Sequence, residues 1–203
     1  DVKQPDKEEV DGFIKSGFTV DGFLKDYELK SVRTNDARDA AQRIWALPTF
    51  EVHGIVGGYA GPGVKTIVPH EAEAKVSMRL VPNQDPERIA DLFTRFVKER
   101  CPDADVIKEG SLRPYVGDYS GPYAQAARQA MVYAFGKEPA FIREGGSIGA
   151  VVSMNKVLGA PIVFLGLSLP EHGYHAINEN YDWGQAAGGM KLFARYFELL
   201  SRM

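Results

Sequence analysis

The spacing of apolar residues changes twice along the chain, and each change predicts a different local structure. Residues 1–47 are polar and helical in pattern: 8–14 and 21–27 are short amphipathic stretches, broken by Gly12, Gly17 and Gly22. Asn35 or Asp36 is placed to cap a third helix carrying Ile44 and Trp45. Leu47-Pro48 ends it, because a proline disfavours helical backbone in the residue before it. At Thr49 the period drops to two. Phe50, Val52 and Ile55 predict a strand, and Gly57, Gly58, Gly61, Pro62 and Gly63 a long turn. Over 72–81, Ala74, Val76, Met78 and Leu80 alternate with Glu73, Lys75, Ser77 and Arg79, the mark of a half-buried strand. Pro82 stops it. Asp85 then serves as N-cap and Pro86 as first residue of a helix with the apolar stripe Ile89, Leu92, Phe93, Phe96 and Val97. Cys101-Pro102 ends that helix, and 104–108 is expected as a further strand. Strand, strand, helix, strand is most of an antiparallel sheet with helices on one face, an α+β layout whose first strand is absent or lies ahead of Asp1.

From Pro114 the rhythm differs. Gly121-Pro122 opens a helix with Ala126, Ala127, Ala130, Met131 and Tyr133, and Phe141 and Ile142 form a short strand. A helix over 148–158, a buried-strand run over 161–165 and a last helix over 183–200 follow. Alternating strands and helices predict part of a parallel sheet. Two domains are therefore expected, 1–113 and 114–203.

Composition narrows the classes. With 203 residues, 44% of them hydrophobic, the chain can bury a real core. A net charge of −3 with no basic excess gives no reason to expect nucleic acid. The single cysteine, Cys101, rules out an internal disulfide and fits a reducing, cytoplasmic setting. No apolar run approaches the roughly 18 residues that span a bilayer, so no membrane partner is expected.

Two stretches carry candidate chemistry. His172 and His175 stand in Pro170-Glu171-His172-Gly173-Tyr174-His175-Ala176-Ile177-Asn178-Glu179, directly after the run 161–165. Loops at the carboxyl ends of parallel strands are where α/β sheets place their sites, and a histidine there can ligate a metal while its neighbours orient it. The same residues also make an ordinary solvated loop, and a metal needs three or four ligands. Glu144-Gly145-Gly146-Ser147 opens a helix, so its N–H groups and the Ser147 hydroxyl can hold a phosphate or carboxylate; alternatively Ser147 is a plain N-cap. The run lacks the lysine of a nucleotide-binding loop. On pattern alone Arg79 is a solvated strand residue and His53 a satisfied sheet histidine.

In chain order, four blocks resemble one family. His53-Gly54-Ile55, Gly57-Gly58-Tyr59 and Gly61-Pro62-Gly63-Val64-Lys65-Thr66-Ile67-Val68-Pro69, followed by Ser77-Met78-Arg79-Leu80-Val81-Pro82, resemble the dimerisation domain of carnosinase-like dipeptidases. Arg143-Glu144-Gly145-Gly146-Ser147-Ile148 and His175-Ala176-Ile177-Asn178-Glu179 resemble the end of their catalytic domain. These enzymes form the cytosolic non-specific dipeptidase branch of the dizinc aminoacylase and succinyl-diaminopimelate desuccinylase metallopeptidases. The resemblance implies the C-terminal part of a zinc-exopeptidase-type α/β catalytic domain, plus a ferredoxin-like antiparallel lid that pairs two subunits. It implies two divalent metal ions, zinc or manganese, that activate a water to hydrolyse small peptides. His175 matches the family's last metal ligand. Thr66 matches a lid residue that reaches the partner subunit's site, Arg79 a residue that grips the substrate carboxylate, and Gly146 with Ser147 a substrate-contacting turn. The other metal ligands and the glutamate base belong to an N-terminal part of the same protein, so no residue here is assigned a catalytic role and the chain alone is expected to be inactive. Ser120-Gly121-Pro122-Tyr123 departs from close relatives, which carry a histidine there. That departure leaves open an amidase acting on N-acyl amino acids, and a non-catalytic dimerisation module is the third reading.

Overall fold

The computed structural model describes residues 1–144 and 148–203. They gather into two compact units, the first made of 1–3 and 47–114, the second of 4–46 and 115–203. This division differs from the expected 1–113 and 114–203: the N-terminal helical stretch gathers with the C-terminal part rather than with the sheet.

In the first unit, β1 (Thr49–Gly57) and β2 (Ala72–Arg79) pair antiparallel. Phe50 meets Met78 and Val52 meets Val76; the register then slips at His53, so that Gly54 meets Lys75 and Ile55 meets Ala74. The extra residue of this bulge resets the alternation. It keeps Ile55 on the same face as Phe50 and Val52, where strict alternation would have put Gly54. Gly57 ends the ladder against Ala72, so close that an added Cβ would sit 2.8 Å from the Ala72 Cβ. The helix α4 (Pro86–Arg100) starts as its sequence predicts, with the Asp85 carboxylate accepting from the Glu87 and Arg88 N–H groups. Its Phe93 ring lies 5.9 Å from that of Phe50. Together Phe50, Met78, Ile89, Leu92, Phe93 and Phe96 line an open apolar cleft of about 430 Å³.

The second unit is helical. α1 (Lys7–Lys15), α2 (Val20–Asp26) and α3 (Ala37–Trp45) begin at side-chain caps, Asp6, Thr19 and Asp36. Phe13, 1% exposed, packs with Ala41 and Ala46 under Ile14, Phe18 and Trp45. Further on, α5 (Pro122–Phe135), α6 (Gly149–Leu158) and α7 (Trp183–Leu200) follow. α5 and α7 pack together: Ala124, Ala127 and Ala130 are buried on one, Gly188 of the other lies against the Phe135 ring of α5, its neighbour Gly189 lies against Leu167, and Leu192 is fully buried.

Helix positions follow the sequence closely; several strands do not form. Among the described residues the only sheet is β1–β2, and 104–108, 141–142 and 161–165 carry no strand. A strand exists only with a neighbour that shares its ladder, and no described segment supplies one. The run 161–165 is also not buried: Ile162, Val163 and Leu165 are half-buried and Phe164 is exposed.

Candidate functional site

In the first unit, Thr66 lies in the exposed, non-regular connection between the strands and Arg79 ends β2. That connection leaves the hairpin at the Gly57–Ala72 end, whereas Arg79 pairs with Thr49 at the other. The ladder between the two ends is roughly 23 Å long. Tyr59 braces the connection: its hydroxyl donates to the Pro62 carbonyl at 2.9 Å, and the Lys65 ammonium lies 5.8 Å from its ring centre. On the face away from α4, His53 Nε2 is 2.6 Å from Ser77 Oγ, which satisfies the ring within the sheet.

In the second unit the loop between 169 and 182 separates its two histidines by role. His172 is buried and both its ring nitrogens are engaged. The Leu169 N–H donates to Nδ1 at 3.1 Å, so the proton sits on Nε2, which donates to Asp182 Oδ2 at 2.8 Å. Tyr181 closes over the ring edge-on at 5.2 Å. The other oxygen of Asp182 caps α7, accepting from the Gln185 N–H at 2.9 Å. That bond first, and His172 second, hold the Asp182 carboxyl below the usual carboxylate range. His172 is thus a structural clamp between loop and helix.

His175 is exposed and has φ 64°, a left-handed conformation shared by Asn178 at φ 66°. Both belong to the small set of side chains that tolerate it. Turn bonds from the Ala176 N–H to the Gly173 carbonyl and from the Asn180 N–H to the His172 carbonyl fix the loop. Tyr174 lies edge-on to His175 at 5.8 Å, and its hydroxyl is 3.5 Å from that of Tyr27. This bond, then burial, pushes the Tyr174 phenol up to about 12.

Gly146 and Ser147, expected to contact substrate, lie outside the described residues. Just ahead of them, Arg143 makes a two-pronged pair with Glu9 of α1, Nε to Oε1 at 2.5 Å and Nη2 to Oε2 at 2.7 Å, both side chains 16% exposed. Pattern reasoning missed this pair, because nothing in local spacing links residues 134 apart. Asp182 was legible: an acidic residue just before a helix and three ahead of Gln185 is an N-cap signature.

Among the described residues no group of three or more His, Cys, Asp or Glu side chains is placed to hold a metal ion. A catalytic zinc keeps about three protein ligands, so His175 and its surroundings do not by themselves fit a metal centre.

Residues 13–105 match the peptidase dimerisation domain of the M20 family. Over these residues the chain is similar to the M20 peptidases. It is 30% identical over 171 residues to the Cys-Gly metallodipeptidase DUG1 of Saccharomyces cerevisiae, an alignment that takes in 80% of this chain and 35% of that protein. To the human Beta-Ala-His dipeptidase it is 25% identical over 197 residues, 94% of this chain and 39% of that one. The M20 family metallo-carboxypeptidase Sso-CP2 from Sulfolobus solfataricus superposes on all of this chain with 47% of its own length, at a TM-score of 0.89 and 26% identity. The chain thus spans little more than a third of the length of the dipeptidases it matches. The M20 domain match takes in the last turn of α1 and all of α2 and α3, although these helices gather with 115–203. No helix among the described residues is long and apolar enough to cross a membrane.

Proposed function

We propose that the chain is the C-terminal part of a metal-dependent dipeptidase that hydrolyses small peptides as a cytoplasmic homodimer. One observation carries the reading: all of this chain superposes on less than half of an M20 metallo-carboxypeptidase. In this reading the β1–β2 unit belongs to the lid that pairs two subunits. Arg79 grips the substrate's terminal carboxylate with its two-pronged guanidinium, which makes the enzyme an exopeptidase. Thr66 serves the partner subunit's substrate, and its connection leaving the hairpin at the end opposite Arg79 supports separate destinations for the two. Gly146 and Ser147 add a further substrate contact. His175 is one donor to a pair of divalent ions, zinc or manganese, and the N-terminal part of the same protein brings the remaining donors.

The test is Arg79→Lys in the full-length protein, assayed on a dipeptide and on its C-terminal amide. Lysine keeps the charge and loses the fork. The expected loss in kcat/KM is about 1.5–3 kcal/mol for the free carboxylate and little for the amide. Equal losses on both substrates would show that Arg79 is not the anchor.

A further inference from the structure

The stretch 4–46 makes two side-chain links to the segments of its own unit that carry candidate site residues. The first is the Glu9–Arg143 pair. It engages Nε and Nη2 of the guanidinium and leaves Nη1 buried with no partner among the described residues. Glu9 is therefore the described anion that compensates this half-buried cation, immediately before Glu144 and the glycine-rich run. The second link is the hydroxyl contact of Tyr27 with Tyr174, beside His175.

Both links start from a rigid base. Asp6 caps α1 by accepting from the N–H of Glu9 itself. Asp11 and Arg38 join α1 to α3 at 2.5 Å. Edge-on and tilted rings then run without a gap from the core outwards: Phe13 to Trp45 at 5.3 Å, Trp45 to Phe18 at 5.3 Å, Phe18 to Phe23 at 6.0 Å, Phe23 to Tyr27 at 4.8 Å. The Tyr27 hydroxyl carries this series to Tyr174, whose ring meets His175. Rings at such separations attract each other beyond the area they bury and hold one another's orientation.

We propose that residues 4–46 are a brace for the site segments of the second unit: Glu9 positions the chain at Arg143 and Glu144, and Tyr27 positions His175 through Tyr174. Glu9 and Tyr27 are positioning residues and touch neither substrate nor metal. The kinetic consequence rests on the dipeptidase reading; the structural one does not.

The experiment uses the full-length protein and three variants, Glu9→Gln, Tyr27→Phe and Tyr27→Ala. Tyr27→Phe keeps the ring series and removes only the hydroxyl. Amide hydrogen exchange is followed in peptides over 138–144 and 172–180, with 49–57 and 122–135 as controls. The expected result is about a tenfold faster exchange over 172–180 in Tyr27→Ala and a smaller rise in Tyr27→Phe. In Glu9→Gln the rise falls over 138–144, and the control peptides stay unchanged in all three. Dipeptide hydrolysis in the same variants then falls at an unchanged melting temperature. Unchanged exchange at both site segments overturns the brace, and so does a uniform rise across the controls, which reports lost stability alone. If the wild-type protein cleaves no dipeptide, the functional reading fails while the exchange result still decides the brace.

Discussion

The two units bury their apolar residues very differently. The helical unit closes two cores, one around Phe13 and Trp45 and one where α5 meets α7. The sheet unit has the stronger strand and stripe pattern in sequence, yet Val81 and Pro86 are its buried residues, while Phe50, Val52, Ile55, Leu92 and Phe96 are exposed. Geometry accounts for the contrast. Helices close together in sequence fold their stripes onto one another, and alanine and glycine let α5 and α7 approach closely. A two-stranded ribbon under one helix has more apolar face than that helix can cover. A sharp periodic pattern therefore reports which face is apolar, and not whether the same segment can bury it.

The widest expected gap lies between two phenylalanines. Phe13→Ala removes a ring that is 1% exposed and should cost about 3–5 kcal/mol. Phe50→Ala removes one that is 55% exposed and should cost about 1 kcal/mol or less. Urea unfolding of both variants measures the difference. Similar losses would break the comparison and mean that Phe50 is covered in solution.

A second substitution tests the close approach in the helical unit through its sign. Replacing a helical glycine by alanine ordinarily stabilises by roughly 0.5–1 kcal/mol. At Gly188 the new Cβ would lie 2.3 Å from the Phe135 ring, so that ring must move. Gly188→Ala is expected to destabilise by about 1–3 kcal/mol. A raised melting temperature would show that α5 and α7 are not held this closely.

These particulars also show what the sequence could reveal. Asp85-Pro86, Asp36 and Asp182 mark helix starts by local chemistry, and all three helices start there. The strand marked by Phe50, Val52 and Ile55 was readable, but the bulge at His53 that puts the three on one face was not, because register depends on the partner strand. The run 161–165 reads as a buried strand only if neighbours exist, and periodicity carries no information about neighbours. In the loop, the spacing of His172 and His175 could not separate a clamp from an exposed candidate. The distinction rests on Leu169 and Asp182, whose contacts with His172 appear only once the loop has folded.

The third expectation concerns acid. The folded Asp182 carboxyl lies below its ordinary 3.8, mainly through the Gln185 N–H and then His172. A depressed folded value contributes stability above the unfolded value, and that contribution is lost as pH falls through the folded one. The start of α7 should therefore loosen in acid, below about pH 4. In Asp182→Asn, which still caps but carries no charge, the slope of stability against pH over that range should be shallower. Identical slopes in variant and wild type would mean that the clamp does not titrate with Asp182. Other depressed carboxyls, Asp85 in the sheet unit and Asp118 in the helical one, keep a shared acid slope in both proteins.

The smallest effect is expected at Phe96, and it probes the open side of the comparison. The ring is 54% exposed at the rim of the cleft, and the Arg100 guanidinium stacks on it at 3.7 Å. An exposed stack of this kind contributes about 0.5–1 kcal/mol, and truncation of the half-exposed ring adds little to that. Phe96→Ala should thus cost about 1 kcal/mol in the isolated chain. Protein concentration makes this small number informative. A dimer that covers the cleft adds a stabilisation that grows with concentration, because only the folded form can associate. Wild type and Phe96→Ala are therefore compared by thermal unfolding across a hundredfold dilution series. A gap of about 1 kcal/mol that stays constant on dilution means that the cleft is open to water, as the exposure of Phe96 implies. A larger gap that shrinks on dilution means that a second copy covers it, and Phe96 then belongs to the subunit contact. A larger gap that ignores dilution would contradict the open cleft itself, since the ring would have to be buried within one chain.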